Sequence, residues 1–553
     1  MSTKEKGDGK YVSVTTLCLM TVAAVVSLRG LPMMAAEGLS MIFYILFATV
    51  IFLLPAALVS AELGSAFGQK KGGVYNWVSA AFGTRWGFVA VWLQWIQNVV
   101  WYPTVLGFAA ACLAYLFGDP KLASNGMFTG IVILVVYWIA TLIAFRGSKA
   151  VNAVTRYGVI FGTILPGILV IVLGIIWAAT GNGIAFLDGS TATAATHAAS
   201  SAATTATAVA DTAAKAVAHV HPRFFPHITG LGSIAFLAGI VLLFAGVEVQ
   251  AVQVNEMKKP STQFPSAMFL AAGIIFVLFL LGSLAVAVVV PAKDISLTAG
   301  LMQAFQMLLD KFHLKFLVPV MGLLMAFGAI GGVMSWVTGP SRSLLLTAQE
   351  GNMPPFMART NKFGSPTSLL LIQGVIVSLL ACLYFIMKDV SVAFFVLSAM
   401  TATLYLVMYM LMFAAAIKLR ISQPDLPRPF KIPGGKNLGM WIIAGIGFLG
   451  VAFAFIVGFF PPSNLPVGNP ALYVSLVAAG LIVFTGMPLV IQAVKKPSWV
   501  PKTVPASANT DTTAAPAAPT AAPAATTPAD ASATKTTSTS TSKNNSTPTG
   551  GTK

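Results

Sequence analysis

The sequence predicts an all-α membrane protein with twelve transmembrane helices. Hydrophobic residues make up 57% of its 553 residues and charged residues only 9%, whereas an ordinary soluble domain is about 25% charged. Apolar runs of about 18 residues or more, long enough to cross a bilayer, recur from Tyr11 almost to Lys495. The bilayer is therefore the expected solvent for most of the chain.

Two of these spans are interrupted at mid-length. We place the spans at 12–36, 39–66, 85–117, 125–145, 151–179, 229–257, 265–290, 315–348, 367–387, 390–418, 439–460 and 471–494. Spans one and six contain helix-breaking residues beside a charge, in the stretches Ser27–Pro32 and Ala245–Glu248. Unwound backbone at membrane depth must be buried in protein or line a wet cavity. Broken helices at corresponding places in two halves mark the substrate site of secondary transporters.

The positions of the breaks predict a 5+5 inverted repeat. Spans one to five and six to ten each make an odd number of crossings, so the second half enters from the opposite face. We expect a cytoplasmic N-terminus (1–11), a first half (12–179), an outer Ala/Thr-rich insert (180–228), a second half (229–418), two further helices (419–494) and a disordered cytoplasmic tail (495–553). The tail has too few large apolar side chains to form a core.

The basic residues predict the orientation. With the N-terminus inside, most of the 33 Lys and Arg residues fall on the cytoplasmic side, as the positive-inside rule requires. The net charge of +17 is therefore a topology signal and not a nucleic-acid-binding surface. The three cysteines lie in separate spans, which indicates neither a disulfide nor a metal site. No cofactor is expected, and the oligomeric state stays open.

Short motifs follow one another along the chain in a fixed order. They are Ala61–Leu63, Gly72–Ser79, Gly246–Glu248, Val254–Met257, Ser335–Arg342 and Lys431–Gly435. In this order they resemble the amino acid–polyamine–organocation permease superfamily, and most closely its bacterial glutamate/γ-aminobutyrate antiporters. The resemblance implies a LeuT-like core of ten helices plus two more, in the inner membrane and without a sodium site. It also implies exchange of an amino acid for its decarboxylated amine, which supports acid resistance.

Two other functions stay open at this point. A proton-coupled amino acid importer is the alternative within the class of transporters, and a membrane sensor that binds an amino acid without moving it is the other. An enzyme is not expected. No span holds a His/Glu metal motif, and every histidine falls outside the spans, so no Ser–His or Cys–His pair can form.

Glu248 and Arg29 are the charged residues beside the breaks. A charge at the bilayer centre costs about 2.5–3.5 kcal/mol on insertion scales, so it is usually functional or paired. Glu248 is predicted to bind a substrate amine or carry a proton; alternatively it caps free N–H groups of the broken helix. Arg29 is predicted to bind a substrate carboxylate, aided by unwound backbone at Gly30 and Gly246. Alternatively it pairs with Glu248 or extends to the membrane surface. The family usually has a small or aromatic residue at this position.

Aromatic residues are candidates for closing the site. Trp336 and Tyr409 match positions that the resemblance places near substrate, and Tyr405 lies one helical turn from Tyr409 on the same face. Trp101 and Tyr102 are weaker candidates, because aromatic residues also pack bundles and form interface belts. Polar residues of span three must find partners in the bundle, and we expect packing rather than substrate contact for Gln94, Gln97 and Asn98.

All five histidines fall on the predicted outer side. Histidine titrates near about pH 6.5, so His219, His221, His227 and His313 are candidates for sensing external acidity. A solvated position without a role is expected for His197. His219 and His221 are two ligands in a flexible insert, which is too few to predict a metal site.

Overall fold

The computed structural model describes residues 12–68, 72–186, 223–228, 230–387, 389–435, 437–462 and 469–500. The predicted N-terminal segment, most of the insert and the tail from 501 onward lie outside these ranges. The helices of the described residues, with a few short 3-10 turns between them, are α1 (Val14–Val25), α2 (Leu31–Ala35), α3 (Ser40–Ala66), α4 (Val74–Phe82), α5 (Thr84–Leu116), α6 (Gly126–Phe145), α7 (Ala150–Ala179), α8 (Phe236–Leu243), α9 (Pro260–Val289), α10 (Gly300–Lys311), α11 (Val318–Gln349), α12 (Thr367–Ile386), α13 (Val390–Ser422), α14 (Leu438–Val457) and α15 (Pro470–Ala493).

The long apolar helices confirm a multi-pass, all-helical membrane protein. Within the described residues, ten helices are long and apolar enough to cross a bilayer, and α1 with α2 forms an eleventh, bent span. The apolar helical stretch of predicted span six covers only Leu231–Leu243, which is shorter than a full crossing. The count of twelve and the inverted repeat therefore stay predictions.

The centre of the bundle is formed by α5 and α13. These two are the most deeply buried of the long helices, and they pack against each other, while α11 packs along α5. In contrast, α15 is exposed along most of its length. Because lipid solvates apolar side chains, the outward faces stay as apolar as the core. The polar residues of α5 and α13 are therefore placed where they meet each other instead of lipid.

Both predicted breaks are present. Helix α1 ends at Val25, the next two residues are extended, and the chain resumes as a 3-10 turn over Leu28–Gly30 before α2. The two parts of this span are bent by 42°. Helix α8 ends at Leu243, Gly246 has φ +117°, and a 3-10 segment covers Val249–Glu256. A positive φ of this size suits glycine alone, because it has no Cβ.

Two further helices lie outside the predicted spans. After predicted span two, Gly72 and Gly73 form a turn, with φ of 135° and 51°. The chain then enters α4, whose buried residues Val74, Trp77, Val78 and Ala81 have the spacing of one helical face. Helix α10 likewise buries one apolar face. Both helices are shorter than a bilayer crossing, so a search for spans misses them.

The far end of α3 carries a buried ion cluster, which we call the Glu62 anchor. Both carboxylate oxygens of Glu62 accept from Arg420 of α13, at 2.8 Å each. Arg428 Nε lies 3.3 Å from Glu62 Oε1, and the Ile432 N–H donates to Glu62 Oε2 at 2.8 Å. The four residues Glu62, Arg420, Arg428 and Ile432 thus join α3, the end of α13 and the loop after it.

The folded structure extends past the predicted tail boundary at 495. Residues Pro497–Trp499 form a 3-10 turn, and Lys495 Nζ donates to Asn352 Oδ1 at 2.7 Å. A Cβ on Gly351 would lie 2.7 Å from the Val500 Cα. The segment after α15 is therefore packed against the end of α11 as far as residue 500.

Glu37, in the connection between α2 and α3, gives a pH-dependent stability. Burial raises the pKa of this half-buried carboxyl to about 7. In the unfolded chain the Glu37 carboxyl ionises near its ordinary pKa of about 4.3. Its contribution to folding stability is therefore most favourable below about pH 4.3 and becomes less favourable as the pH rises to about 7. Glu37→Gln is neutral at every pH. We expect it to stabilise the detergent-solubilised protein by about 2–3 kcal/mol at pH 8, with no gain at pH 4.

Melting temperatures at the two pH values measure this difference. Asp425→Asn, at an exposed carboxyl, is the control and should leave the wild-type pH dependence unchanged. An equal gain from Glu37→Gln at pH 4 and pH 8 would contradict the assignment.

Candidate functional site

The two breaks lie against each other. The Leu243 side chain at the end of α8 covers Gly30 so closely that a Cβ there would collide with it. Trp336 of α11 contacts both breaks, because its Nε1 donates to the Ala24 carbonyl at 2.9 Å and its ring lies 3.1 Å from where a Cβ on Gly246 would be. The predicted substrate residues Gly30, Gly246 and Trp336 are thus brought together, with Gly30 facing Leu243.

Glu248 is the acceptor of a buried hydroxyl and amide cluster. Its side chain is 1% exposed. Oε1 accepts from Gln94 Nε2 at 3.0 Å and from the Tyr405 hydroxyl at 2.5 Å, and Oε2 accepts from the Tyr409 hydroxyl. Tyr409 also accepts from the Gly246 N–H at 2.7 Å. The break in span six is therefore tied to α13 through Tyr409 and to α5 through Gln94.

This geometry decides between several interpretations of these residues. The predicted shared face of Tyr405 and Tyr409 is confirmed, since their ring centroids are 4.9 Å apart. Gln94 was expected to serve packing, and it instead donates to the charged candidate itself. The Gly246 N–H at the break donates to the Tyr409 hydroxyl and not to the Glu248 carboxylate. The alternative that Glu248 caps free N–H groups of the broken helix stays a prediction.

In the part of the chain that the structure describes, Arg29 is buried without an acidic partner. Its side chain is 2% exposed, and among the described residues no acceptor lies within hydrogen-bonding distance of Nε. The guanidinium carbon lies 5.4 Å from the Trp101 ring centroid and 5.6 Å from that of Phe394. These aromatic faces stabilise the cation only in part. The alternatives of an ion pair with Glu248 and of an arginine extending to the membrane surface are therefore both wrong.

Arg29 and Tyr405 line the same cavity at the breaks. Its wall also contains Ser27, Gln97, Asn98, Trp101, Ala245 and Trp336. The rings of Trp101 and Trp336 meet edge to face with centroids 6.0 Å apart. The cavity volume is about 30 Å³, which has room for a water molecule or two but not an amino acid. In this conformation the cavity is too small for an amino acid, so a substrate can enter only when the residues that line it move.

The structure also shows where the remaining candidate residues of α5 lie. Trp101 faces the cavity, whereas Tyr102 packs on Tyr137, with ring centroids 5.5 Å apart, on the other side of α5. Gln97 and Asn98 both donate to the Gln94 carbonyl and also line the cavity. Sequence reasoning missed Phe394, which gave no signal because it lies in a uniformly apolar stretch.

The prediction that histidines sense external acidity stays untested. His197, His219 and His221 lie outside the described residues. His227 and His313 are exposed, and His313 has φ 57° at the end of α10. Their role in sensing acidity stays a prediction. Within the described ranges, no group of three His, Cys, Asp or Glu side chains is placed to hold a metal ion.

A family model for amino acid permeases matches residues 12–484. The chain belongs to this amino acid permease family. The match includes both breaks and every residue of the Glu248 cluster. The predicted resemblance is thereby confirmed, and the protein is grouped with transporters instead of enzymes.

Relatives of this permease extend over most of its length. A glutamate/γ-aminobutyrate antiporter of Lactococcus lactis is 31% identical over 87% of this chain and 90% of its own. An uncharacterized transporter of Legionella pneumophila is 37% identical over 87% of this chain and 96% of its own. An aspartate/glutamate permease of Lactococcus lactis is 24% identical over 81% of this chain and 87% of its own.

Proposed function

We propose that this permease is a sodium-independent antiporter that exchanges glutamate or a related amino acid for γ-aminobutyrate or another amine. The observation that carries the proposal is the Arg29 guanidinium, which is buried at a break, lines the cavity and has no acidic partner among the described residues. A buried unpaired charge is costly. A substrate carboxylate would supply the missing partner. The similarity to a glutamate/γ-aminobutyrate antiporter supports the same substrate class.

The site suits a small zwitterion because its two charges lie at different depths. Trp101, beside Arg29, and Gln94, beside Glu248, are seven residues apart on α5. That separation is about 10 Å along a helix. A small amino acid with a hydrogen bond of about 3 Å at each end spans this distance. Tyr405 lines the cavity and donates to Glu248, so it connects the amine end of the site to the carboxylate.

Alternating access would come from movement of the broken spans against a firm support. Helices α6 and α12 are joined by hydrogen bonds from Gln373 Nε2 to the Tyr137 hydroxyl (2.7 Å) and from Trp138 Nε1 to Ser378 (3.1 Å). Together with α5 and α11 they form the support in this proposal. The α1–α2 pair and α8 would tilt on it and open the cavity to each side in turn. Glu248 would take up or release a proton as the cavity opens.

The proposed orientation has both termini in the cytoplasm of a bacterial inner membrane. Glutamate would then enter from outside and the amine would leave. Decarboxylation inside the cell consumes a proton, so this exchange would contribute to acid resistance.

Exchange in proteoliposomes tests the proposal. Purified protein is reconstituted in liposomes loaded with L-glutamate, γ-aminobutyrate or buffer alone, and uptake of labelled L-glutamate is followed from pH 5 to pH 7.5. We expect uptake only into liposomes that contain an internal substrate, and the same uptake when N-methylglucamine replaces sodium.

Each other outcome has a defined meaning. Uptake into empty liposomes that requires a proton gradient would favour the proton-coupled importer and contradict exchange. Binding of glutamate without flux would favour the sensor. Absence of both binding and flux for all amino acids and amines would end the proposal.

A further inference from the structure

Helix α3 contains a π bulge near its middle. The Leu54 N–H donates to the Thr49 carbonyl, which lies five residues back instead of four. Pro55 accounts for this change, because it has no N–H to donate to the Ile51 carbonyl four residues before it. A five-residue step widens the turn by one residue, and one residue is about 100° of rotation around a helix. The bulge thus determines which side chains of α3 face the neighbouring helices.

Glycine at 450 makes room for this bulge. A Cβ there would lie 2.8 Å from the Ile51 carbonyl oxygen and 2.9 Å from the Ile51 Cβ, so α14 packs directly on the bulged backbone. A second π bulge, in α7, also precedes a proline, since the Leu165 N–H donates to the Ile160 carbonyl before Pro166. The bulge of α3 therefore has a local cause in the sequence and a close packing partner in α14.

The bulge brings Phe52 to the Glu248 cluster. Phe52 is 0% exposed, and its ring meets the Tyr409 ring at a centroid distance of 4.7 Å and an angle of 80°. Aromatic pairs prefer such an edge-to-face arrangement. The Tyr409 hydroxyl in turn donates to Glu248 and accepts from the Gly246 N–H. A series of direct contacts therefore runs from the bulge of α3 to the break in span six.

We propose that Phe52 is a positioning residue that holds the Tyr409 hydroxyl at Glu248 and at the Gly246 N–H. This proposal rests on the transport function given above and adds a residue that acts on the site through Tyr409. The hydroxyl of a tyrosine moves with its ring, and hydrogen bonds weaken steeply as their angle departs from linearity. A ring that is free to tilt would therefore lose both contacts of its hydroxyl together.

Phe52→Leu removes the ring contact and keeps an apolar side chain. In proteoliposomes we expect it to slow L-glutamate exchange about 3- to 10-fold, as for two coupled neighbours. The pH dependence should be retained, because Glu248 can still titrate. In Tyr409→Phe the same substitution should slow exchange by less than about twofold more, since the hydroxyl that Phe52 positions is already absent. The fall in melting temperature should be equal in both backgrounds, because a ring at position 409 remains in each.

Gly450→Ala tests the bulge from its other side. The added methyl group would press on Ile51, next to Phe52, so glutamate exchange should slow in the wild type and change little in Tyr409→Phe. Gly445→Ala is the matched control, because it lies on the same helix and a Cβ there has no atom within 4 Å. It should leave exchange unchanged in both backgrounds.

Phe88→Leu is the control for the loss of a buried ring. Phe88 is also 0% exposed, and its ring packs on Trp92 within α5. We expect a lower melting temperature with nearly unchanged glutamate exchange. Equal slowing by Phe52→Leu with and without the Tyr409 hydroxyl would show that the ring only stabilises the fold, and it would overturn the positioning role while leaving antiport intact.

Deuterium uptake at the break measures the same contact without transport. Uptake is followed by mass spectrometry in a peptide that contains Gly246, in the solubilised wild type and in the Phe52→Leu, Tyr409→Phe and Phe88→Leu variants. We expect Phe52→Leu and Tyr409→Phe to speed uptake by a similar factor, because the Gly246 N–H loses its acceptor in both. Phe88→Leu should match the wild type.

The two measurements separate this proposal from the transport proposal. If the wild type does not exchange glutamate but deuterium uptake changes as expected, the positioning role of Phe52 stands and antiport falls. If uptake in Phe52→Leu equals that of the wild type, the positioning role falls, whatever the transport assay shows.

Discussion

Arg29→Leu is expected to lower L-glutamate exchange roughly a hundredfold and at the same time to stabilise the substrate-free protein. Truncating one partner of a buried charge pair costs about 2–5 kcal/mol of binding. A buried guanidinium without an acidic partner is costly before substrate arrives. Since Arg29 is 2% exposed and is contacted mainly by rings, leucine relieves that cost. Activity and melting temperature should therefore change in opposite directions.

Exchange assays and melting curves on the same preparations measure both effects. Arg85→Leu, at an exposed position at the start of α5, is the control and should alter neither quantity much. Arg29→Lys keeps the charge but loses the planar guanidinium that can make two parallel hydrogen bonds to a carboxylate. The glutamate concentration that gives half-maximal exchange should therefore fall between the values of the wild type and Arg29→Leu. A lower melting temperature together with equal losses for carboxylate and amine substrates would show that Arg29 is structural.

Glu248→Gln is expected to reduce exchange by about 10- to 100-fold and to flatten its pH profile. The carboxylate accepts from Gln94, Tyr405 and Tyr409, and hydrogen bonds to a charged group contribute about 1.5–3 kcal/mol each. An amide has one oxygen for three donors, and its own N–H₂ group needs an acceptor. The amide also cannot ionise, so any step that depends on a proton at 248 loses its pH dependence.

Tyr409→Phe separates the hydrogen-bonding role of the cluster from its proton role. It leaves the Gly246 N–H and one oxygen of Glu248 each short of a partner, and the carboxyl can still titrate. Its exchange should be slower with the pH dependence retained. Uptake of labelled glutamate from pH 5 to pH 7.5 compares the two variants. A Glu248→Gln profile parallel to that of the wild type would remove the proton role.

The breaks were predictable because their causes are local. Proline has no N–H to donate, and glycine alone suits φ +117°. Gly246 and Pro32 therefore interrupt their helices whatever the packing of the rest of the chain. The same holds for Tyr405 and Tyr409, whose spacing fixes a shared helix face. The charge beside each break then marked Arg29 and Glu248, because ionised groups in apolar spans are rare.

The partners of these residues were not predictable in the same way. Phe394 lies in a run of apolar residues, so no periodicity indicates that it meets Arg29. Gln94 was treated as a packing residue because its distance to Glu248 depends on how α5 docks against the break. The sequence placed Glu62 within a family motif without a role. Its partners, Arg420 and Arg428, come from the other end of the chain.

The Glu62 anchor limits how the elements around it can move. A buried carboxylate shared by two arginines and a backbone N–H cannot be released part of the way without leaving a charge stranded. The end of α3, the last turn of α13 and the loop at Ile432 must travel as one piece. Tyr405 and Tyr409, which hold Glu248, lie on the same continuous helix α13 as Arg420. The two buried carboxylates, Glu248 and Glu62, are therefore joined through one helix.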